Sequence, residues 1–234
     1  MKLRGRDLSK DAAVCGVITT SIGSKKLAAV KNLGADLAEI RLDTFDDLDT
    51  GKLKAALSKL KKPCLPLLLT VRSKDEGGWR EMTAAKRLEL FTALTPHVDA
   101  VDIELSSKAI AKEVVGKARR AGKKTIISFH DFKKTPPDAA LKNVIRRARG
   151  LGADAVKIAA FANTRADILR LASLLTANRD LIVIAMGRYG MMTRVFFPLL
   201  GSLITYGSLG EPTAPGQMMV KRLKQELAFY NARN

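Results

Sequence analysis

Cysteine is nearly absent from the 234 residues: Cys15 and Cys64 are the two, far apart and without paired-ligand spacing. Histidine is as scarce, with His97 and His130 completing the inventory. That excludes a disulfide framework and a zinc site, both of which need clustered ligands. Cys15 sits in an apolar stretch and Cys64 between prolines, so both read as small buried or near-buried fillers of a protein kept in a reducing cytosol. Aromatic residues make up 5% of the chain, poor material for the stacking platforms that bind single-stranded nucleic acid. No apolar run approaches the ~20 residues of a membrane-spanning helix. The opening MKLRGRDLSKDAAVCGVITT places charge before apolar residues, but Asp7 and Asp11 interrupt it, and it reads as a first strand rather than a signal peptide. Proline and glycine, 8 and 17 in number, are scattered and mark no linker.

Acidic residues are also short, 23 against 41 Lys and Arg, for a net charge of +18. Such a balance invites a nucleic-acid reading. The basic residues are spread over segments that read as helices, as in Lys52, Lys54 and Lys59, then Lys112, Lys117, Arg119 and Arg120, then Arg146, Arg147 and Arg149. A solvated outer face of basic helices accounts for them, and no nucleic-acid partner is expected. An anionic substrate is drawn to such a surface.

With 47% hydrophobic residues there is material for one sizeable core. Short β-branched runs alternate with helical periodicity and predict eight strands, at 14–19, 37–42, 65–72, 100–105, 125–130, 155–159, 181–186 and 203–206. Between them, residues 52–60 read as a helix stopping before Pro63. Ser106 is read as capping a helix that ends at Gly122, Pro136-Pro137-Asp138 as opening one that ends near Gly150, and Asn163 as opening one that runs to Asn178. Leu-Gly-Ala-Asp recurs at 33–36 and 151–154 before the second and sixth strands, as a repeated βα unit requires. Strict alternation predicts a parallel sheet. The first strand ends in TTSIG, without a dinucleotide fingerprint. The expected architecture is therefore a single-domain (β/α)8 TIM barrel using residues 1–234.

Each of strands two to six reaches ionisable or polar residues toward its C-terminal end: Glu39, Arg41 and Asp43; Arg72; Asp102 and Glu104; His130 and Asp131; Lys157. That end of a (β/α)8 barrel is where active sites are built. Period-two alternation places Glu39 with Arg41 and Asp43, and Asp102 with Glu104, on one side of their strands. For Asp43 and Glu104, pairing with an inward arginine is as good a reading as function. Lys157 interrupts the apolar run 155–160, where desolvation favours a neutral amine able to attack a carbonyl. His130 closes an adjacent apolar strand as a general acid/base would, while His97, after Pro96, reads as an exposed loop residue.

These segments resemble the type I 3-dehydroquinate dehydratases of the shikimate pathway. The resemblance rests on Glu39-Ile-Arg-Leu-Asp43, Thr70-Val-Arg72 with Glu76-Gly77-Gly78, Ser128-Phe-His-Asp-Phe132 with Thr135-Pro136, Val156-Lys-Ile-Ala159, Met186-Gly187, Arg194 and GSLITYGSLGEPTAPGQ at 201–217. It implies that Lys157 forms an imine with the ketone, that His130 moves the protons, and that Glu76 orients His130. It implies further that Glu39, Arg41 and Arg72 hold the ring hydroxyls and carbonyl end, and that Arg194 and Gln217 bind the carboxylate. Thr213 stands where the family commonly has serine and keeps the hydroxyl; a first-strand hydroxyl would come from Thr19 or Thr20. Residues 210–217 read as a lid. Neither a cofactor nor a metal is expected, nor a fused second enzyme. The substrate would be a small anion, the setting cytoplasmic and non-membrane, and a homodimer is the one assembly entertained. The rivals are a class I aldolase or transaldolase-like Schiff-base barrel, disfavoured by the lack of a Gly-rich phosphate loop after strands seven and eight, and a basic nucleic-acid-binding barrel.

Overall fold

A computed structural model describes residues 1–60, 62–210 and 214–231. A short antiparallel ribbon, β1 (Lys2–Leu3) and β2 (Arg6–Asp7), precedes eight barrel strands. These are β3 (Ala13–Ile18), β4 (Leu37–Arg41), β5 (Leu67–Thr70), β6 (Ala100–Glu104), β7 (Lys124–Asp131), β8 (Ala155–Phe161), β9 (Leu181–Met186) and β10 (Ile204–Gly207). The helices are α1 (Ser24–Asn32), α2 (Thr50–Lys59), α3 (Ala84–Leu94), α4 (Ala111–Arg120), α5 (Asp138–Leu151), α6 (Arg165–Ala177), α7 (Gly190–Leu199) and α8 (Val220–Asn231). The barrel strands pair in parallel in the order β10-β3-β4-β5-β6-β7-β8-β9. The Leu203 amide donates to the Leu181 carbonyl at 2.9 Å, drawing β9 and β10 together. The (β/α)8 TIM barrel is thus present, and no helix among the described residues is long and apolar enough to cross a membrane.

Local chemistry sets the helix limits. Asp49, Thr83 and Thr164 cap α2, α3 and α6, the last in a reciprocal box with Asp167. Gly152, at φ 97°, ends α5. Most boundaries shift by one or two residues, and two departures have a clear physical cause. The strand expected over 65–72 spans only Leu67–Thr70, because the Arg87 guanidinium takes the Val71 carbonyl at 2.9 and 2.8 Å. The helix expected from Ser106 begins at Ala111 without a side-chain cap; Ser106 is engaged elsewhere. Cys64 is exposed, not buried, since it lies in the turn before β5 rather than in the strand.

The register stacks inward side chains in layers drawn from alternate strands. Stepping two strands around and two residues up leads from Glu39 to Asp102, Lys157, Tyr206 and back to Glu39. Below lie Cys15, Leu68, Ile126 and Ile182, all buried. Leu3 and Leu8 belong to the same apolar cluster and cover the N-terminal mouth. An apolar floor therefore carries a layer of two carboxylates, an amine and a phenol. Every functional side chain described below lies at or above that level.

Candidate active site

The Lys157 ammonium lies 3.2 Å from Asp102 Oδ2 and 4.2 Å from the centroid of the Tyr206 ring. Asp102 is fully buried and also accepts from Arg72 at 3.0 Å and Ser128 at 2.6 Å. Its burial opposes ionisation, but Arg72 and Lys157 overcome that and hold the carboxyl well below the usual range. Arg72 donates in addition to Glu104 at 2.9 Å and Ser128 at 2.7 Å. Its own buried guanidinium is held up by the same acids. Glu104 further pairs with Arg87 from α3, so the structural reading of Glu104 is realised. Asp43 likewise forms a two-pronged pair with Arg41, at 2.9 and 2.8 Å. It also accepts the amides of Arg72 and Trp79. Glu39 accepts from Thr70 at 2.7 Å.

His130 is joined to Glu76 twice: its backbone amide and its Nδ1 both meet Oε2 at 2.9 Å. Ser106, expected as a helix cap, donates to the other oxygen of Glu76. Gly77 lets this turn form: its φ is +84°, and a Cβ there would meet the Phe132 ring at 2.4 Å. Phe132 stacks on His130 with centroids 6.3 Å apart. With Nδ1 occupied, Nε2 is the ring nitrogen left for chemistry. Burial, then the charges of Arg72 and Lys157, keep the imidazole well below its ordinary pKa and therefore neutral. Burial pushes Glu76 up to about 7.

Arg194 comes from α7 rather than from a strand. Its Nη2 donates to the Pro215 carbonyl at 3.3 Å, its Nε has no partner, and among the described residues no carboxylate pairs with it. Burial pushes the guanidinium down to about 10, which leaves it cationic at neutral pH and short of an anion. Gln217 is buried nearby.

One cavity, with about 580 Å³ of space free of atoms including its mouth, gathers these groups. Lys157, His130 and Glu76 line it with Glu39, Arg41 and Arg72, and so do Arg194 and Gln217. Thr213 lies outside the described residues. Sequence reading passed over Tyr206 and Ser106 as site residues; Ser106 meets Glu76 from the loop after the adjacent strand and Tyr206 meets Lys157 from two strands away, and no spacing along one strand signals either contact. His97 is half-buried in a single turn, well away from the cavity lining.

Fold and cavity together are those of a (β/α)8-barrel enzyme with its reacting groups at the C-terminal ends of the strands. The chain belongs to the type I 3-dehydroquinase family, whose model matches residues 15–234. The 3-dehydroquinate dehydratase of Methanosarcina barkeri is 40% identical over 232 residues, covering 94% of this chain and 96% of that protein. That of Aquifex aeolicus is 38% identical over 201 residues, 86% of this chain and 90% of that one. The crystal structure of the Aquifex enzyme superposes with a TM-score of 0.84 at 35% identity, over 93% of this chain and 98% of that chain. The type I enzyme of Clostridium difficile gives 0.90 at 27% identity, over 100% and 98%.

Stability should report the Glu76 environment. A native pKa of about 7 against 4.5 for the free side chain means that the folded protein binds more protons between those values. Unfolding free energy therefore falls as pH rises through that window. Glu76→Gln removes the titration, so its stability relative to the parent should rise between pH 5 and pH 8 by roughly 1–3 kcal/mol. Denaturant melts at the two pH values measure this, and an unchanged difference contradicts the buried, ionising carboxyl.

Proposed function

We propose that the cavity carries out the dehydration of 3-dehydroquinate to 3-dehydroshikimate through an imine on Lys157. The chain is a 3-dehydroquinate dehydratase, a carbon–oxygen hydro-lyase of the shikimate pathway and aromatic amino-acid biosynthesis, as its family membership gives. The observation that carries the mechanism is the placement of a buried amine and a Glu76-held imidazole in one cavity with an arginine that has no carboxylate partner among the described residues. In this reading the whole chain acts as one catalytic domain.

The Lys157 amine adds to the ketone and loses water to give an iminium. Neutral His130, through Nε2, takes the proton from the neighbouring carbon, and the electron pair flows into the iminium to give an enamine. The enamine pushes out the hydroxyl on the next carbon, protonated by the same imidazole, as water. Hydrolysis of the conjugated iminium returns one water and frees Lys157, so the net loss is one water. Glu76 fixes the imidazole tautomer and compensates its charge while it carries the proton. Arg194 supplies the two-pronged recognition that suits a carboxylate, with Gln217 beside it. Arg41 and Glu39 offer polar edges to the ring hydroxyls. Arg72 is already committed to Asp102, Glu104 and Ser128, so its part is to hold that wall and contribute field. The lid expected over 210–217 lies partly outside the described residues; of it, Ala214 and Gln217 line the cavity.

The partner besides substrate is a second copy of the chain. Met191, Met192, Phe196 and Leu199 make the exposed face of α7, with Tyr230 of α8 beside it. The one charged residue of α7, Arg194, points inward. On a chain of net charge +18, two copies repel least where the surface is uncharged and apolar. Two free cysteines support a reducing, cytoplasmic setting.

Borohydride added with substrate should trap a reduced adduct that mass spectrometry places on Lys157. Lys157→Ala should lose trapping and nearly all turnover, whereas His130→Ala should lose about 10²–10⁴-fold in kcat yet still be trapped. An active enzyme with no adduct on Lys157 rejects the imine. Arg194→Ala should raise KM at least tenfold with a smaller change in kcat, since the carboxylate contact acts on ground and transition states alike; a fall in kcat at constant KM excludes that role. Sedimentation should show a dimer that Phe196→Glu dissociates, and a monomeric parent rules the dimer out.

A further inference from the structure

Glu76 uses its two oxygens differently. Oε2 takes both donors of His130, the backbone amide and Nδ1, each at 2.9 Å. Oε1 takes the hydroxyl of Ser106. Arg72, whose charge reaches this carboxyl, donates instead to Asp102, Glu104 and Ser128. Ser106 stands in the turn after β6, and that turn is anchored on both sides. The Leu105 amide donates to the Ser128 carbonyl at 2.8 Å. The Ser107 hydroxyl donates to Glu104 and accepts from Arg87, both at 2.8 Å. The hydroxyl of Ser106 is thus delivered from a fixed backbone. It caps no helix, since α4 begins at Ala111 without a side-chain cap.

The proton transfers need Glu76 ionised. A carboxylate accepts Nδ1–H, leaves Nε2 bare, and balances the charge that His130 takes on with the proton. Burial works against this and raises the carboxyl to about 7, where its two forms are nearly balanced at neutral pH. Opposing burial are the Ser106 hydroxyl first, then the charge of Arg72 and the His130 amide, while Glu104 pushes with burial. On His130 itself, Arg72, Lys157 and Arg41 act against protonation and Asp102 favours it. Oε2 already serves two donors, so Oε1 is the atom left for an added proton. There the Ser106 hydroxyl would have to turn and accept. That exchanges a charge-assisted hydrogen bond for a neutral one about half as strong.

We propose that Ser106 is a positioning residue of the reaction: by donating to Oε1 it keeps Glu76 a carboxylate, and Glu76 in turn holds His130 with Nε2 free. The proposal rests on the reading of His130 as the base. Ser106 is not among the residues that line the cavity, so it acts through Glu76 and not on the substrate.

Threonine and valine share nearly one shape and differ by the hydroxyl. Ser106→Thr should keep the pH profile of the parent. Ser106→Val removes the donor and sets a methyl where water would otherwise replace it. Ser106 is exposed, so neither change opens a void in the core, and Ser106→Ala takes the place of valine if that variant does not fold. Loss of the donor raises Glu76 further, so the damage should be confined to low pH. Relative to Ser106→Thr, kcat/KM on 3-dehydroquinate should fall about tenfold at pH 6 and stay within about twofold at pH 9. Folding gives a second readout. A group whose folded pKa is raised stabilises below that value and ceases to as pH climbs through it. The unfolding constant of Ser106→Val relative to Ser106→Thr should therefore rise about tenfold between pH 5 and pH 9.

A loss of activity equal at every pH marks a merely structural role and overturns the proposal. Denaturant melts whose difference does not change with pH overturn it as well, because the hydroxyl then has no hold on Glu76. His130→Ala separates the two levels. Near-normal turnover in that variant ends the reading of His130 as the base, and this proposal with it. A nearly inactive His130→Ala beside a valine-to-threonine ratio that is flat with pH ends only the role of Ser106.

Discussion

Two cations share one buried carboxylate, and the site is arranged around that sharing. Asp102 faces the Lys157 ammonium and the Arg72 guanidinium at 3.2 and 3.0 Å, with no exposed surface of its own. A buried ion with a missing partner costs several kcal/mol, so each member of this group fixes the others. Arg72 passes the constraint to Glu104, Glu104 to Arg87, and Arg87 to the Val71 carbonyl. The reactive amine is thereby tied to helix α3 on the outside of the barrel, and the shortness of β5 is part of the same connection.

The second half of the site obeys a different rule. His130 and Glu76 are kept poorly charged by burial, and Arg72 and Lys157 add to the pressure on the imidazole. A base close to so many cations stays unprotonated, as removal of a carbon-bound proton requires. Arg194 is the opposite case, a buried cation with no carboxylate paired to it among the described residues. Among the described residues the cavity thus sets compensated charge around Lys157 and an acid-free cation at Arg194.

Much of this was legible in the chain. Alternation put Glu39 with Arg41 and Asp43, and Asp102 with Glu104, on one side of their strands, because a strand has only two faces; a broken apolar run marked Lys157 and the end of an apolar strand marked His130, and the basic helices do face solvent, as at Lys112, Arg119 and Arg146. Arg194, on a helix, was visible only through the family resemblance. Ser106 was misread because a serine before a helical run is as good a cap as it is a donor to Glu76. The contact of Tyr206 with Lys157 depends on how far the strands are sheared around the barrel, and periodicity within a strand carries no information about shear.

The pairing of β10 with β3 joins Ile204 to Ala13 and Tyr206 to Cys15, residues from opposite ends of the chain. Contacts so distant along the sequence are slow to form, since the loop between them must be closed first. Lys157, His130 and Asp102 belong to elements that pair with near neighbours, whereas Tyr206, Arg194 and Gln217 lie downstream of all three. A partly assembled barrel accordingly holds the Lys157–Asp102 pair before it holds Arg194. The cavity gains its full lining, from Val17 to Gln217, only once the ring of strands is shut.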